Sequence, residues 1–365
     1  MKNFITKKSM NPLPVFKKIG AIALLSFFGL WIDGCNDCNV NEKIDTTPGD
    51  VVFSAIPLNM DRYSVFTVKK DGNDLKEHID NSKVFTRPDK NGRILYVEED
   101  HEGQKNIYIS DIPGKDKTKV ISGKFYPEVN IPVLSPEGSF FSFYGGDGRL
   151  LFSSIGQGMP DIISDAYDAG FIPAFSFDGQ YLAYMESSND SLIFKVINTD
   201  NLEVVFSKKY PELMPENNYY HIISPNHQND KVIFSIALSN ELCNIGIFDF
   251  RELELSEYEI EGTNLFNPVI RTNSGEIFIT GSDGNIWLAE LDGNISIPEK
   301  LTDVASDQIC TYVNHRLEDD LILYTQFSKS GYSGGILKVL NVEYKEEIIL
   351  SSQVFRGFWL DEEKK

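Results

Sequence analysis

"FSFDGQYLAYMESSNDSLIFKVINTD", residues 175–200, decides the fold. It holds the aromatic end of one strand, an Asp-Gly turn, a second apolar strand, a polar turn and a third apolar strand. The second-strand segment recurs as "VVFS" (51–54), "ILYV" (94–97), "FFSF" (140–143), "YLAY" (181–184), "VIFS" (232–235), "EIFIT" (276–280) and "LILY" (321–324). Its aligned aromatics are Phe53, Tyr96, Phe143, Tyr184, Phe234, Phe278 and Tyr324, spaced 43, 47, 41, 50, 44 and 46 residues apart. A third apolar strand follows each, and weaker fourth strands such as "KVIS" (119–122) and "EEIIL" (346–350) complete several units. Four short strands in a unit of this length is the pattern of a β-propeller blade. The runs are nearly continuous rather than alternating, which fits sheets covered on both faces.

The turns before the second strands read "RPDKNG" (87–92), "SPEG" (135–138), "SFDG" (176–179) and "RTNSG" (271–275). Asp, Asn and Gly tolerate the positive φ that tight hairpins need. Turn and strand together resemble the TolB-type, WD40-like propeller repeat of bacterial periplasmic proteins. The resemblance spans residues 51–365 as a repeat pattern and is absent from the fifth turn, "SPNHQND" (224–230). It implies a fold rather than an activity.

The first repeat has no first strand of its own, and the chain end supplies a spare: "GFWLDE" (357–362) aligns with "AFSFDG" (174–179). An open ring would leave two strand edges ready to aggregate. The expectation is an all-β, seven-bladed β-propeller of four-stranded antiparallel blades, with residues 355–360 beside 51–56 so that the C-terminal strand closes the ring.

The N-terminal part is of another kind. Lys17 and Lys18 precede the apolar run 19–32, short for a membrane span and suited to a signal-peptide core. Ile32-Asp33-Gly34-Cys35 follows and resembles the lipobox of bacterial lipoproteins, with Asp33 departing from the usual small residue. The resemblance implies lipid attachment at Cys35. The expected division is 1–34 lipoprotein signal peptide, 35–50 flexible tether and 51–365 propeller domain. With Cys35 acylated, Cys38, Cys243 and Cys310 remain, and an odd number cannot all pair within one chain. Cys243 and Cys310 lie in apolar strand contexts that suit buried thiols.

The formal charge is −20, and the first 34 residues contribute +4 of it, so the remainder is more acidic still. An acidic surface repels phosphate backbones, which argues against nucleic-acid binding.

Several motifs suggest chemistry at first sight. Gly331, Ser333 and Gly335 match the G-x-S-x-G nucleophile elbow, but strands flank the motif and no His follows it. A glycine-rich hairpin turn is the better reading. His78, His101, His221, His227 and His315 show no metal-ligand spacing and read as solvated loop residues, although some propeller-fold uronate lyases hold a divalent metal on histidines near the channel. The acid-glycine loops "KDGND" (70–74), "GGDGR" (145–149) and "GSDGN" (281–285) lack the calcium-loop pattern and read as hairpin turns. Tyr219, Tyr220 and Tyr332 stand among small polar residues, where tyrosine serves protein or glycan contacts.

No catalytic set, metal or cofactor is expected. The expected function is a non-enzymatic, lipid-anchored, monomeric envelope scaffold that engages a protein, peptide or glycan. The alternative is a carbohydrate-active enzyme, a polysaccharide or oligouronate lyase or hydrolase, working at the channel mouth.

Overall fold

The structure is a computed structural model and describes residues 50–360, apart from 58–61, 85–86, 113, 123–128, 146–147, 166–171, 189–190, 212–223, 227–229, 238–241, 262–265, 272–274, 292–298 and 317–319. The signal, Cys35 and the tether up to residue 49 lie outside the described residues. Every regular element among the described residues is a β-strand.

The strands follow in chain order. β1 (Val51–Ala55), β2 (Ser64–Val68) and β3 (Lys76–Ile79) open the series. β4 (Ser82–Val84), β5 (Ile94–Glu99), β6 (Lys105–Ser110) and β7 (Thr118–Ile121) form a four-stranded antiparallel sheet. So do β8 (Val129–Leu134), β9 (Phe140–Gly145), β10 (Leu150–Ser154) and β11 (Asp161–Ser164). The next sheet holds β12 (Ala174–Phe175), β13 (Tyr181–Ser188), β14 (Ser191–Asn198) and β15 (Val204–Pro211). β16 (Ser224–Asn226), β17 (Lys231–Ala237), β18 (Leu242–Asp249) and β19 (Glu254–Glu261) form another, and β20 (Phe266–Arg271), β21 (Glu276–Thr280), β22 (Ile286–Glu290) and β23 (Glu299–Lys300) the fifth.

The remaining strands are β24 (Gln308–Arg316), β25 (Leu321–Ser328), β26 (Gly331–Asn341) and β27 (Glu346–Trp359). Here the expectation of separate four-stranded sheets is modified: β24, β25, β26, β27, β1, β2 and β3 form one seven-stranded sheet. The cause is the length of β27. Its first part pairs with β26, from Asn341 opposite Glu346 to Gly335 opposite Val354. Its last part pairs with β1, with Val51 opposite Trp359 and Phe53 opposite Gly357. The strand turns between its two partners at Gln353, which has φ +59°, beside a bulge at Ser54 and Ala55.

The seven aligned aromatics are each at most 1% exposed, the position the repeat register gives them. They sit in apolar clusters between sheets, except Phe53, whose cluster joins the two halves of the seven-stranded sheet. Val52, Ile79 and Phe358 meet Ile94 and Tyr96. Leu95 and Ile107 meet Phe141 and Phe143, and Phe152 meets Phe175 and Tyr184. Phe194 stacks on Phe234 with ring centroids 4.7 Å apart. Ile233 meets Ile277, and Phe278 meets Ile322 and Tyr324. Leu323, Leu337 and Val339 pack on Val51, Phe53 and Trp359. Burial on both faces explains why the second strands are apolar throughout.

The turn before each second strand owes its sequence to local hydrogen bonding. In "SPEG" the Ser135 hydroxyl accepts from the Ser139 and Phe140 amides at 3.1 and 3.0 Å, and the Gly138 amide donates to the Ser135 carbonyl at 2.8 Å. Ser176 accepts from the Tyr181 amide at 2.9 Å in "SFDG". In "RPDKNG" a carboxylate takes the place of the hydroxyl: Asp89 accepts from the Asn91 and Arg93 amides at 2.9 and 2.8 Å. Gly138 and Gly92 have φ of +65° and +72°, the left-handed region that side chains disfavour.

Candidate functional site

These turns touch one another from sheet to sheet. The Lys90 amide donates to the Pro136 carbonyl at 2.8 Å, and the Phe177 amide donates to Asp230 at 2.7 Å. The Lys90 ammonium lies 3.9 Å from the Phe177 ring centroid. The belt continues through Arg271, which bonds Glu276 at 3.0 Å and also pairs with Asp320. Asp320 in turn bonds His315 Nε2 at 2.9 Å. The His315 side chain is 4% exposed and its ring lies against Phe278. Burial holds His315 below the usual histidine range, Asp320 opposes this, and the Arg271 and Arg87 charges add to it.

The opposite ends of the first and second strands carry a different group. Tyr63 precedes β2, Lys83 is on β4, Tyr312 on β24, Phe327 on β25, and Phe355 and Arg356 on β27. The centroid of Phe355 is 5.6 Å from that of Tyr312 and 6.1 Å from that of Tyr63. Tyr312 also meets Phe327 edge-on at 6.1 Å. The Lys83 ammonium stands 3.5 Å from the Phe355 centroid and 4.6 Å from that of Tyr63. The Arg356 guanidinium lies 4.8 Å from the Tyr312 ring and 4.7 Å from the Phe358 ring. Tyr312 has φ +53°, within the bulge of the β24–β25 ladder between Thr311 and Asn314. Such bulges re-aim a side chain at the cost of local pairing.

Burial, with a smaller contribution from Lys105, lowers Lys83 to about 8, and burial lowers Arg356 to about 10. Arg356 is 8% exposed, and its Nε has no hydrogen-bond partner among the described residues. Buried cations are ordinarily paired with carboxylates. The faces of Tyr312 and Phe358 lie against Arg356, an arrangement that favours a cation through the ring quadrupole.

A third feature is a cleft of about 510 Å³ lined by Lys300, Asp303, Gln326, Lys338, Lys345 and Glu347. Lys300 pairs with Asp303 and Lys338 with Glu347, each at 2.8 Å, so charges across this cleft are matched within the chain. Nearby, Cys310 is a buried free thiol, which burial pushes up to about 12.

The residues singled out in the sequence fall variously. Residues 331–335 are not the hairpin turn: Ser328 pairs with Gly331, so the turn is Lys329 and Ser330 and the motif begins β26. The absence of a side chain at Gly335 leaves room for Thr325 and Phe327. Two histidines also depart from the solvated-loop reading. His315 is a buried strand residue, and His78 is half-buried on β3, 2.7 Å from the Thr67 hydroxyl. His101 is exposed in a turn, whereas His221, His227, Tyr219 and Tyr220 lie outside the described residues. Cys243 lies on β18 opposite Ile260, and Cys38 lies outside the described residues. The acid-glycine loops 70–74 and 281–285 are hairpin turns: Asp71 accepts from the Asn73 amide at 3.0 Å, and Asp283 from the Asn285 amide at 3.0 Å; part of 145–149 lies outside the described residues. Among the described residues no three His, Cys, Asp or Glu side chains gather as a metal site would require. The sequence reading passed over Lys83, Tyr312 and Arg356. Their only signal was a lone cation in an apolar strand, "SKVF" (82–85) and "VFRGFW" (354–359).

No protein-family model matches the chain, and no curated protein matches it in sequence. Solved structures do. A prolyl endopeptidase superposes with a TM-score of 0.54 at 11% identity, over 74% of this chain and 41% of its own. The chain thus spans about two fifths of that enzyme. TolB from Acinetobacter baumannii superposes with a TM-score of 0.46 at 14% identity, over 85% of this chain and 82% of its own. An oligogalacturonate lyase from Vibrio parahaemolyticus gives 0.38 at 13% identity, over 84% and 74%. The likeness to the prolyl endopeptidase is one of fold alone.

Proposed function

We propose that the chain is a closed seven-bladed propeller acting as a non-enzymatic binding scaffold, lipid-anchored through Cys35 in a bacterial cell envelope. In this reading the seven-stranded sheet is two blades sharing β27. The cyclic order of the apolar clusters supports it, since the last joins Leu323 and Leu337 to Phe53 and Trp359. The partner is a protein, peptide or glycan, and it docks where the first strands converge around Tyr63, Lys83, Tyr312 and Arg356.

The observation that carries the reading is this group of half-buried aromatic and cationic side chains beside the buried Arg356, in a chain of net charge −20. A photo-crosslinking amino acid at Tyr63, compared with one at the 66% exposed Tyr344, tests it in cells. A discrete adduct from position 63 alone is expected; adducts from position 344 alone would place the binding face elsewhere.

A second reading, an enzyme acting on uronic oligosaccharides, is favoured by His315, which Asp320 orients beside Arg271. Turnover of such oligosaccharides with added Mn²⁺ or Ca²⁺, lost in His315→Gln, would select it over the scaffold.

A further inference from the structure

We propose that the cleft between β23 and the first half of β27 is a binding site for a neutral oligosaccharide. It is built by other residues than the group around Tyr63 and does not rest on that group being a binding face. The cleft measures about 510 Å³, within the range of about 300–1,000 Å³ that small-ligand sites occupy. Lys300 and Leu301 line it from the β23 side, and Gln326, Lys338, Lys345 and Glu347 from the side of β25, β26 and β27. The two sides belong to different sheets, joined beneath by the apolar cluster around Phe278 and Tyr324.

The lining decides the ligand class. Each of its charges is paired within the chain: Lys300 with Asp303 and Lys338 with Glu347, each at 2.8 Å, and Lys345 with Glu299. Glu347 also accepts from the Tyr324 hydroxyl. An ionic ligand would have to break one of these pairs and leave its partner uncompensated. A hydroxyl need not. An ammonium has three N–H groups and a carboxylate about four lone-pair sites, so a pair can give to and accept from a hydroxyl while staying paired. A sugar offers such hydroxyls side by side, as the cleft offers ammonium and carboxylate side by side. A peptide backbone instead carries its donors and acceptors on separate groups along an extended chain. Apolar surface is present for the C–H faces of sugar rings. Leu301 is 7% exposed, and Val304 packs on the same cluster beneath the cleft. Beside it, Ile349 is 63% exposed and lies opposite Lys338 in the β26–β27 ladder, and Tyr344, next to Lys345, is 66% exposed. Exposed apolar side chains gathered in one place mark a contact surface, whereas single ones do not.

Calorimetry on the full chain tests the site. The neutral probes are maltotriose, cellotriose, tri-N-acetylchitotriose and the trimethyl ester of trigalacturonate; trigalacturonate itself and a blocked Ala-Ser-Ala peptide are the contrasts. At least one neutral trisaccharide is expected to bind at least about tenfold tighter than both contrasts. Lys338→Met keeps the aliphatic stem and removes the ammonium, and is expected to weaken that probe at least about tenfold, the worth of one charge-assisted hydrogen bond. If this variant does not melt cooperatively, Ile349→Ser, at an exposed position, repeats the test with an expected loss of about fourfold, the worth of one buried methylene. The bound probe is also expected to shield Lys338 and Lys345, but not the exposed Lys209, from acetic anhydride, read by peptide mass mapping. No binding of any neutral probe, or trigalacturonate or the peptide binding as tightly as the best of them, would overturn the proposal. So would binding that survives the substitutions and shields neither lysine, which would place the sugar elsewhere.

Discussion

Trp359 is paired with Val51 across an antiparallel ladder, and its indole Nε1 donates to the Asn314 carbonyl at 3.2 Å. The indole is 1% exposed, with the Arg316 guanidinium 5.4 Å from its ring. One residue near the chain end thus fastens the first strand to the last first-position strand. Trp359→Ala is expected to destabilise by about 3–5 kcal/mol, the usual cost of emptying a large aromatic site. Urea denaturation followed by circular dichroism measures it.

Deleting residues 353–365 removes the whole ladder with β1 and bares that edge of β1, while residues 346–352 remain paired with β26. The expected product aggregates or melts without cooperativity, because unpaired edges recruit other chains. A soluble, monomeric truncation with a sharp transition would contradict the pairing's importance.

Gly138 and Gly92 share a left-handed backbone but not their surroundings. A Cβ on Gly138 would run into the Arg93 and Asp89 side chains, whereas one on Gly92 meets nothing within 4 Å. Gly92→Ala is expected to cost about 1–2 kcal/mol from backbone strain alone. Gly138→Ala adds disruption of the 2.7 Å Asp89–Arg93 pair and is expected to cost more. Thermal melts of the two variants side by side make the comparison.

The turns, the strands and the buried aromatics were legible in the sequence because each is a local matter. Ser135 and Gly138 sit three residues apart and close their own turn. Tyr96 and Tyr184 are buried by the same repeat position that names them. The aromatic-cationic group was not legible, because Lys83, Tyr312 and Arg356 come from different repeats and meet only through sheet packing. His315 was misread for a related reason. Tyr312, Asn314, His315 and Arg316 break the apolar pattern, yet β24 runs on through them by a bulge.

Stability is expected to fall on acidification through the histidine range. Burial is the leading cause that lowers His315 and His78 in the folded chain, so the unfolded chain binds these protons more readily. Their contribution is fully present above the unfolded value of about 6.5 and is lost as pH falls below it. Each unit of difference is worth about 1.4 kcal/mol. His315→Gln should flatten the dependence of the urea midpoint between pH 7 and 5; an unchanged slope would show that this ring does not contribute.

Cys310 is expected to resist alkylation in the native state. Its thiol is buried and pushed up to about 12, and the thiolate is the reactive form. Peptide mass mapping after iodoacetamide treatment at pH 8, with and without denaturant, should find its peptide modified only in the denatured sample.

The junction at Leu360, whose amide donates to the Asp50 carbonyl at 2.9 Å, has a consequence for how the chain is made. β1 is the first of the described strands to leave the ribosome, yet one of its two neighbours, β27, is the last of them. Such a fold has high contact order. β1 waits with an open side until β27 is made, so a chaperone or an export channel that holds the nascent chain extended would work with this topology rather than against it.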